Sequence, residues 1–107
     1  KELQNKLNAH AKEIELIDVR SLYEVMEEGI IASARHIELD DLRNRMDEID
    51  KNKAIVTYCA KGLRGYLAAT ILSNHGFDNI SNLGGGFKTW VKMGYPVESK
   101  VLVNGHF

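Results

Sequence analysis

The chain holds one cysteine, one proline and one tryptophan in 107 residues, and its net charge is close to zero. Each shortage excludes something. A lone cysteine, Cys59, cannot close an internal disulfide, so a secreted, disulfide-stapled scaffold is excluded and a reducing compartment, the cytoplasm, is expected. Fourteen basic against fifteen acidic side chains leave no whole-molecule field to draw in nucleic acid or an anionic membrane, so any anion site must be local. No apolar run approaches the roughly 20 residues that span a bilayer; even Leu67 to Leu72 is interrupted by Thr70. The four histidines, at 10, 36, 75 and 106, show no metal-ligand spacing, and no metal site is expected. Nothing is low-complexity or repeated, so residues 1–107 are expected to form one domain with 98–107 as a C-terminal tail. The chain starts at Lys1, and the expectation is a domain excised from a longer protein.

What is present is an alternation of periods. Leu3, Leu7 and Ala11 fall on one face of a helix, and Glu13 to Val19 reads as a buried strand stopped by Asp18 and Arg20. Ser21 and Glu24 form a capping box that starts a helix at Leu22, ended by Gly29. Ala34 to Ile37 reads as a strand, followed by a helix capped by Asp40 or Asp41 and carrying Leu42, Met46 and Ile49. Ala54 to Tyr58 is the clearest strand and runs straight into Cys59. Gly65 to His75 reads as a helix with Gly76 beyond its end, Ile80 to Leu83 as a strand, Gly84 to Gly86 as a turn and Phe87 to Met93 as a last helix. Strands alternating with helices predict an α/β fold with a mainly parallel central sheet of four to five strands and helices on both faces. In such sheets ligands bind at the carboxyl ends of the strands, where Asp18, Cys59 and the glycine turn would gather on one rim.

The stretch CAKGLRG, residues 59–65, carries the chemistry. A packed core cysteine is the plainest reading of a lone Cys, but it explains neither two glycines nor two cations in the next six residues. A cysteine between a strand end and a helix N-terminus faces unpaired backbone N–H groups and the positive end of the helix dipole. Gly62 and Gly65 let the backbone come close to an anion, and Lys61 and Arg64 add charge. The pattern favours a sulfur anion at Cys59, as thiolate or as persulfide.

Taken together the residues resemble the rhodanese domain of the sulfurtransferase superfamily. The resemblance runs through Asp18-Val19-Arg20, Gly29 to Ala34, Cys59 to Arg64, the Gly84 to Gly86 turn with Trp90 after it, and Gly94 to Val97. Ile30, Ala32 and Ser33 stand where the family has His, Pro and Gly. The loop is most similar to the rhodanese module of CoA-disulfide-reductase-type flavoenzymes. The resemblance implies that Cys59 is catalytic, taking a sulfane sulfur from a donor such as thiosulfate or a persulfide and passing it to a thiol or protein acceptor. It implies that Ala60, Lys61, Gly62, Leu63, Arg64 and Gly65 form the substrate-binding loop. No cofactor is expected in this domain; FAD and CoA would belong to a fused pyridine nucleotide-disulfide oxidoreductase domain.

Two alternatives stand beside this reading. One is a non-catalytic interaction or regulatory module on the same fold. The other is a Cys-dependent phosphatase or arsenate reductase, against which the loop length argues, since only four residues separate Cys59 from Arg64 and the resemblance implies five for an oxyanion. Asp18 and Arg20 are expected in supporting roles: Asp18 orienting loop backbone, Arg20 in an ion pair with Glu24 or Glu28. Lys61 is expected to meet the substrate. Trp90, Phe87 and Tyr95 are expected in the core.

Overall fold

A computed structural model describes Leu3 and residues 13–98. The remainder of the expected first helix lies outside the described residues. So do residues 99–107, nearly all of the expected C-terminal tail.

Four parallel strands form the sheet, in the order β3-β1-β4-β5: β1 is Ile14–Asp18, β3 Arg35–His36, β4 Ala54–Tyr58 and β5 Ile80–Asn82. A separate antiparallel ribbon pairs β2, Ile30–Ile31, with β6, Val97–Glu98. The helices are α1, Leu22–Glu28, α2, Leu63–Asn74, and α3, Gly86–Lys92. The register aligns Asp18 with Tyr58 and Thr57 with Asn82, so the carboxyl ends of β1, β4 and β5 lie side by side. This is the rim expected from the alternation of elements.

Strand alternation divides the core between the two faces of the sheet. On one face Ile17, Ile55 and Cys59 pack with Leu42, Ile49, Ala68, Leu72 and Phe77. On the other, Leu16, Val56 and Tyr58 pack with Leu3, Ile31, Phe87 and Trp90. Trp90 and Phe87 are buried as expected, and Tyr95 is partly buried against the same cluster.

Ser21 and Glu24 make both halves of the predicted capping box, and Gly29 ends α1 at φ 85°. Gly76 takes φ 89° just past α2, as placed by the C-terminal signal. Ser33 sits in the left-handed region at φ 75°, a conformation costing a residue with a Cβ roughly 1 kcal/mol. That is the backbone reason for the glycine implied by the resemblance at this position.

Two predictions fail locally. The helix expected to carry Leu42, Met46 and Ile49 is instead two 3-10 segments, Leu39–Asn44 and Met46–Glu48. The N-cap is Glu38, which makes no side-chain cap to its own segment; its carboxylate instead accepts from the Leu22 amide at 3.0 Å. Arg45 then breaks the run at φ −125° and ψ 17° and makes a two-point pair with Glu48 at 2.8 and 2.8 Å, a spacing of three that suits the tighter turn. The second miss is the start of α2: the helix begins at Leu63, two residues before Gly65. Arg64 and Gly65 therefore lie in its first turn. Two strands are also shorter than expected, β3 covering only Arg35–His36 and β5 stopping at Asn82.

Candidate active site

Cys59 follows β4 directly and is 2 % exposed. Its Sγ accepts a hydrogen bond from the Gly62 amide at 3.1 Å. Burial by itself raises the thiol, yet the amides of Gly65, Lys61, Gly62 and Arg64 together outweigh it and leave Cys59 below the ordinary thiol value. Four backbone donors on one sulfur stabilise the anion and do nothing comparable for the neutral thiol.

The amides point inward because the carbonyls are held elsewhere. The Cys59 carbonyl accepts from the Phe87 amide at 2.7 Å and the Ala60 carbonyl from the Lys88 amide at 3.1 Å. The Gly62 carbonyl accepts from Tyr66 N at 2.9 Å and from Asn82 Nδ2 at 3.2 Å, and the Gly65 carbonyl from Thr57 Oγ1 at 2.7 Å. The backbone donors of the first turn of α3 thus grip the two peptides that open the loop. Gly86 permits this approach: a Cβ there would run into the carbonyl oxygens of Cys59 and Ala60. Gly62 adopts φ 150° and Gly65 packs against Asn82 and Tyr58 Cα with no room for a side chain. Both loop glycines of CAKGLRG are therefore required by geometry.

Residues 59–64 line a cavity of about 290 Å³ above the sulfur. Lys61 and Leu63 are exposed at its edge and Ala60 is half-buried. Arg64 makes a bidentate pair with Glu24, at 2.6 and 2.8 Å, with the Cys59 sulfur as a weaker partner. The Arg64 guanidinium, against some burial, draws the Glu24 carboxyl down to about 2, helped by the Ser21 amide and hydroxyl. The pair in turn raises Arg64 further above its ordinary value.

Asp18 and Arg20 do not reach this loop. Both are fully buried and paired with each other at 2.7 Å; Arg20 also bonds Glu28 at 3.0 Å and the Gly29 carbonyl at 2.6 Å, with its guanidinium 3.8 Å from the centre of the Phe87 ring. Of the two carboxylates expected near Arg20, Glu28 is a partner and Glu24 is not, because Arg64 claims it. Asp18 does orient backbone, accepting from the Arg20 amide at 2.9 Å, but this is the turn after β1 and not the cysteine loop.

Sequence reasoning missed Glu24 as the partner of Arg64, Asn82 as a brace of the loop, and the amides of Phe87 and Lys88. Glu24 carried a signal, but for helix capping and for a pair with Arg20, not for Arg64. The three consecutive glycines marked a turn without disclosing what it approaches. Among the described residues no group of three or more His, Cys, Asp or Glu side chains could hold a metal, and no helix is long and apolar enough to cross a membrane.

A cysteine at the carboxyl end of a central parallel strand, ringed by loop amides, defines a rhodanese-type α/β domain. The chain belongs to that family: the family described as "Rhodanese-like domain" matches residues 1–93. A sulfurtransferase of Allochromatium vinosum is 33% identical over 89 residues, covering 83% of this chain and 82% of that protein. The crystal structure of a rhodanese-related protein from Thermoplasma volcanium superposes with a TM-score of 0.79 at 31% identity, over 91% of this chain and 95% of that one. The reduced CoADR-RHD protein of Bacillus anthracis is 35% identical with a TM-score of 0.72, over 81% of this chain but only 15% of that larger chain.

Proposed function

We propose that the protein is a sulfurtransferase that carries sulfane sulfur as a persulfide on Cys59. The observation that carries this reading is the Gly62 amide on the Cys59 sulfur at 3.1 Å, with the loop amides holding the thiol below its ordinary value, inside a loop with four residues between Cys59 and Arg64. The Cys59 thiolate attacks the outer sulfur of a donor such as thiosulfate or a persulfide. A new S–S bond forms, the donor's own S–S bond breaks, and its electron pair leaves on the donor remnant. The persulfide anion then sits where the amides of residues 61, 62, 64 and 65 point. A thiol or protein acceptor attacks that outer sulfur, and Cys59 departs as a thiolate, ready for another cycle.

Gly62, Gly65 and the carbonyl grips from Phe87, Lys88 and Asn82 hold the donors in place before the charge arrives, so little reorganisation accompanies either step. Lys61 and Leu63 meet the incoming molecule, while Asp18 and Arg20, outside the loop, fix the turn after β1. FAD and CoA have no part in the transfer itself and would belong to a fused disulfide oxidoreductase domain. The site works in a reducing compartment, the cytoplasm, where an acceptor thiol stays reduced.

The test is intact-mass measurement after incubation with thiosulfate or an organic persulfide. The expected product is one sulfur atom heavier, reverts on addition of a thiol, and is not formed by Cys59→Ala. Absence of an adduct with every donor tried would overturn the proposal.

A further inference from the structure

The charges around the cavity are arranged unfavourably for a dianionic donor such as thiosulfate. Arg64 and Lys61 are the cations among the residues lining it. Arg64 is committed to Glu24 through two short bonds, 2.6 and 2.8 Å, so that pair brings no net charge to the mouth. Arg20 is sealed beneath the sheet rim by Asp18 and Glu28. Lys88 lines a different cavity, with Glu28, Phe87 and Val91. Among the described residues, what remains facing the mouth is one exposed lysine beside Ala60 and Leu63, the latter 72 % exposed.

Resting on the sulfurtransferase reading above, we propose that the preferred donor is an organic persulfide of low charge, R–S–SH, and that Glu24 sets this preference by occupying Arg64. With that donor the Cys59 thiolate attacks the outer sulfur and forms Cys59–S–SH. The donor's S–S bond breaks with its electron pair going to the inner sulfur, and R–S⁻ leaves; one negative charge is present throughout. With thiosulfate the same displacement gathers three negative charges, one from Cys59 and two from the donor, and expels sulfite as a dianion. One exposed lysine offsets little of that, because an exposed charge is screened by solvent and salt. The exposed Leu63 and the Ala60 methyl instead offer apolar contact to the R group. Glu24 is a positioning residue here: it touches Arg64 and not the reacting sulfur.

The experiment measures second-order rate constants for loading Cys59 by thiosulfate and by N-acetylcysteamine persulfide, which is uncharged at its organic end, in wild type and in Glu24→Gln. Gln can keep the capping box with Ser21 but no longer neutralises Arg64. The thiosulfate-to-persulfide ratio is expected to rise about tenfold, the worth of one freed charge-assisted hydrogen bond. It should return to the wild-type ratio in Glu24→Gln/Arg64→Gln. An unchanged or lower ratio in Glu24→Gln would overturn the proposal. So would a wild type that loads thiosulfate at least as fast as the persulfide, a measurement that needs no variant. Either result leaves the sulfurtransferase reading intact, whereas failure of both donors to load Cys59 removes that reading.

Discussion

At Cys59 two effects of opposite sign act on one sulfur. Its near-complete burial favours the neutral thiol, and amides at 61, 62, 64 and 65 favour the anion and prevail. The consequence is measurable through alkylation, which consumes only the thiolate. A lowered thiol value means that the thiolate persists to more acid pH than in a free cysteine peptide. The rate of Cys59 alkylation by iodoacetamide is therefore expected to reach half its plateau at a lower pH than the peptide measured alongside. A midpoint at or above that of the peptide would mean that burial dominates. The residue types around the sulfur were legible in the sequence, since a cysteine followed within six positions by two glycines and two cations has few structural explanations. The pairing of Arg64 with Glu24 was not, because forty residues separate them and Glu24 already had a complete local role as the N3 residue of a capping box.

Among the elements, α3 does more than its seven residues suggest. Its first amides hold the carbonyls of Cys59 and Ala60, so the helix sets the direction of the loop peptides and, through them, the direction of the amides at the sulfur. Gly86, at φ 58°, is the point of closest approach. Gly86→Ala is expected to cost about 2–4 kcal/mol, combining overpacking against backbone with a left-handed conformation, read from the urea midpoint. Gly84→Ala serves as the control, because a Cβ there meets nothing within 4 Å. A loss below about 1 kcal/mol for Gly86→Ala would mean that α3 can move away from the loop. The stretch from Leu39 to Ile49 shows where element-level reading stops. Its apolar spacing suits a helix, but Glu38 caps α1 across space and not its own segment. A tertiary hydrogen bond thus outcompeted a local one.

For the whole molecule, the sheet separates two apolar clusters that share the strands β1 and β4. Neither cluster can be lost without exposing the back of the other, so unfolding should be a single cooperative transition. The one tryptophan makes this testable, because Trp90 is buried in the α3-side cluster and its Nε1 donates to the Pro96 carbonyl at 2.7 Å. Tryptophan fluorescence and far-UV circular dichroism are expected to give coincident urea midpoints. Separate midpoints would mean that the α3 side, with its grip on the cysteine loop, opens on its own. The sequence by itself determined the α/β class, the strand that delivers Cys59, the capping box at Ser21 and the two loop glycines, because periodicity, caps and positive φ are local properties. Only the tertiary structure decided the rest: that Arg64 is neutralised by Glu24, that Arg20 is sealed by Asp18 and Glu28, and that α3 aims the amides. Those choices depend on which distant groups the parallel register brings within bonding distance, and no local pattern encodes that distance.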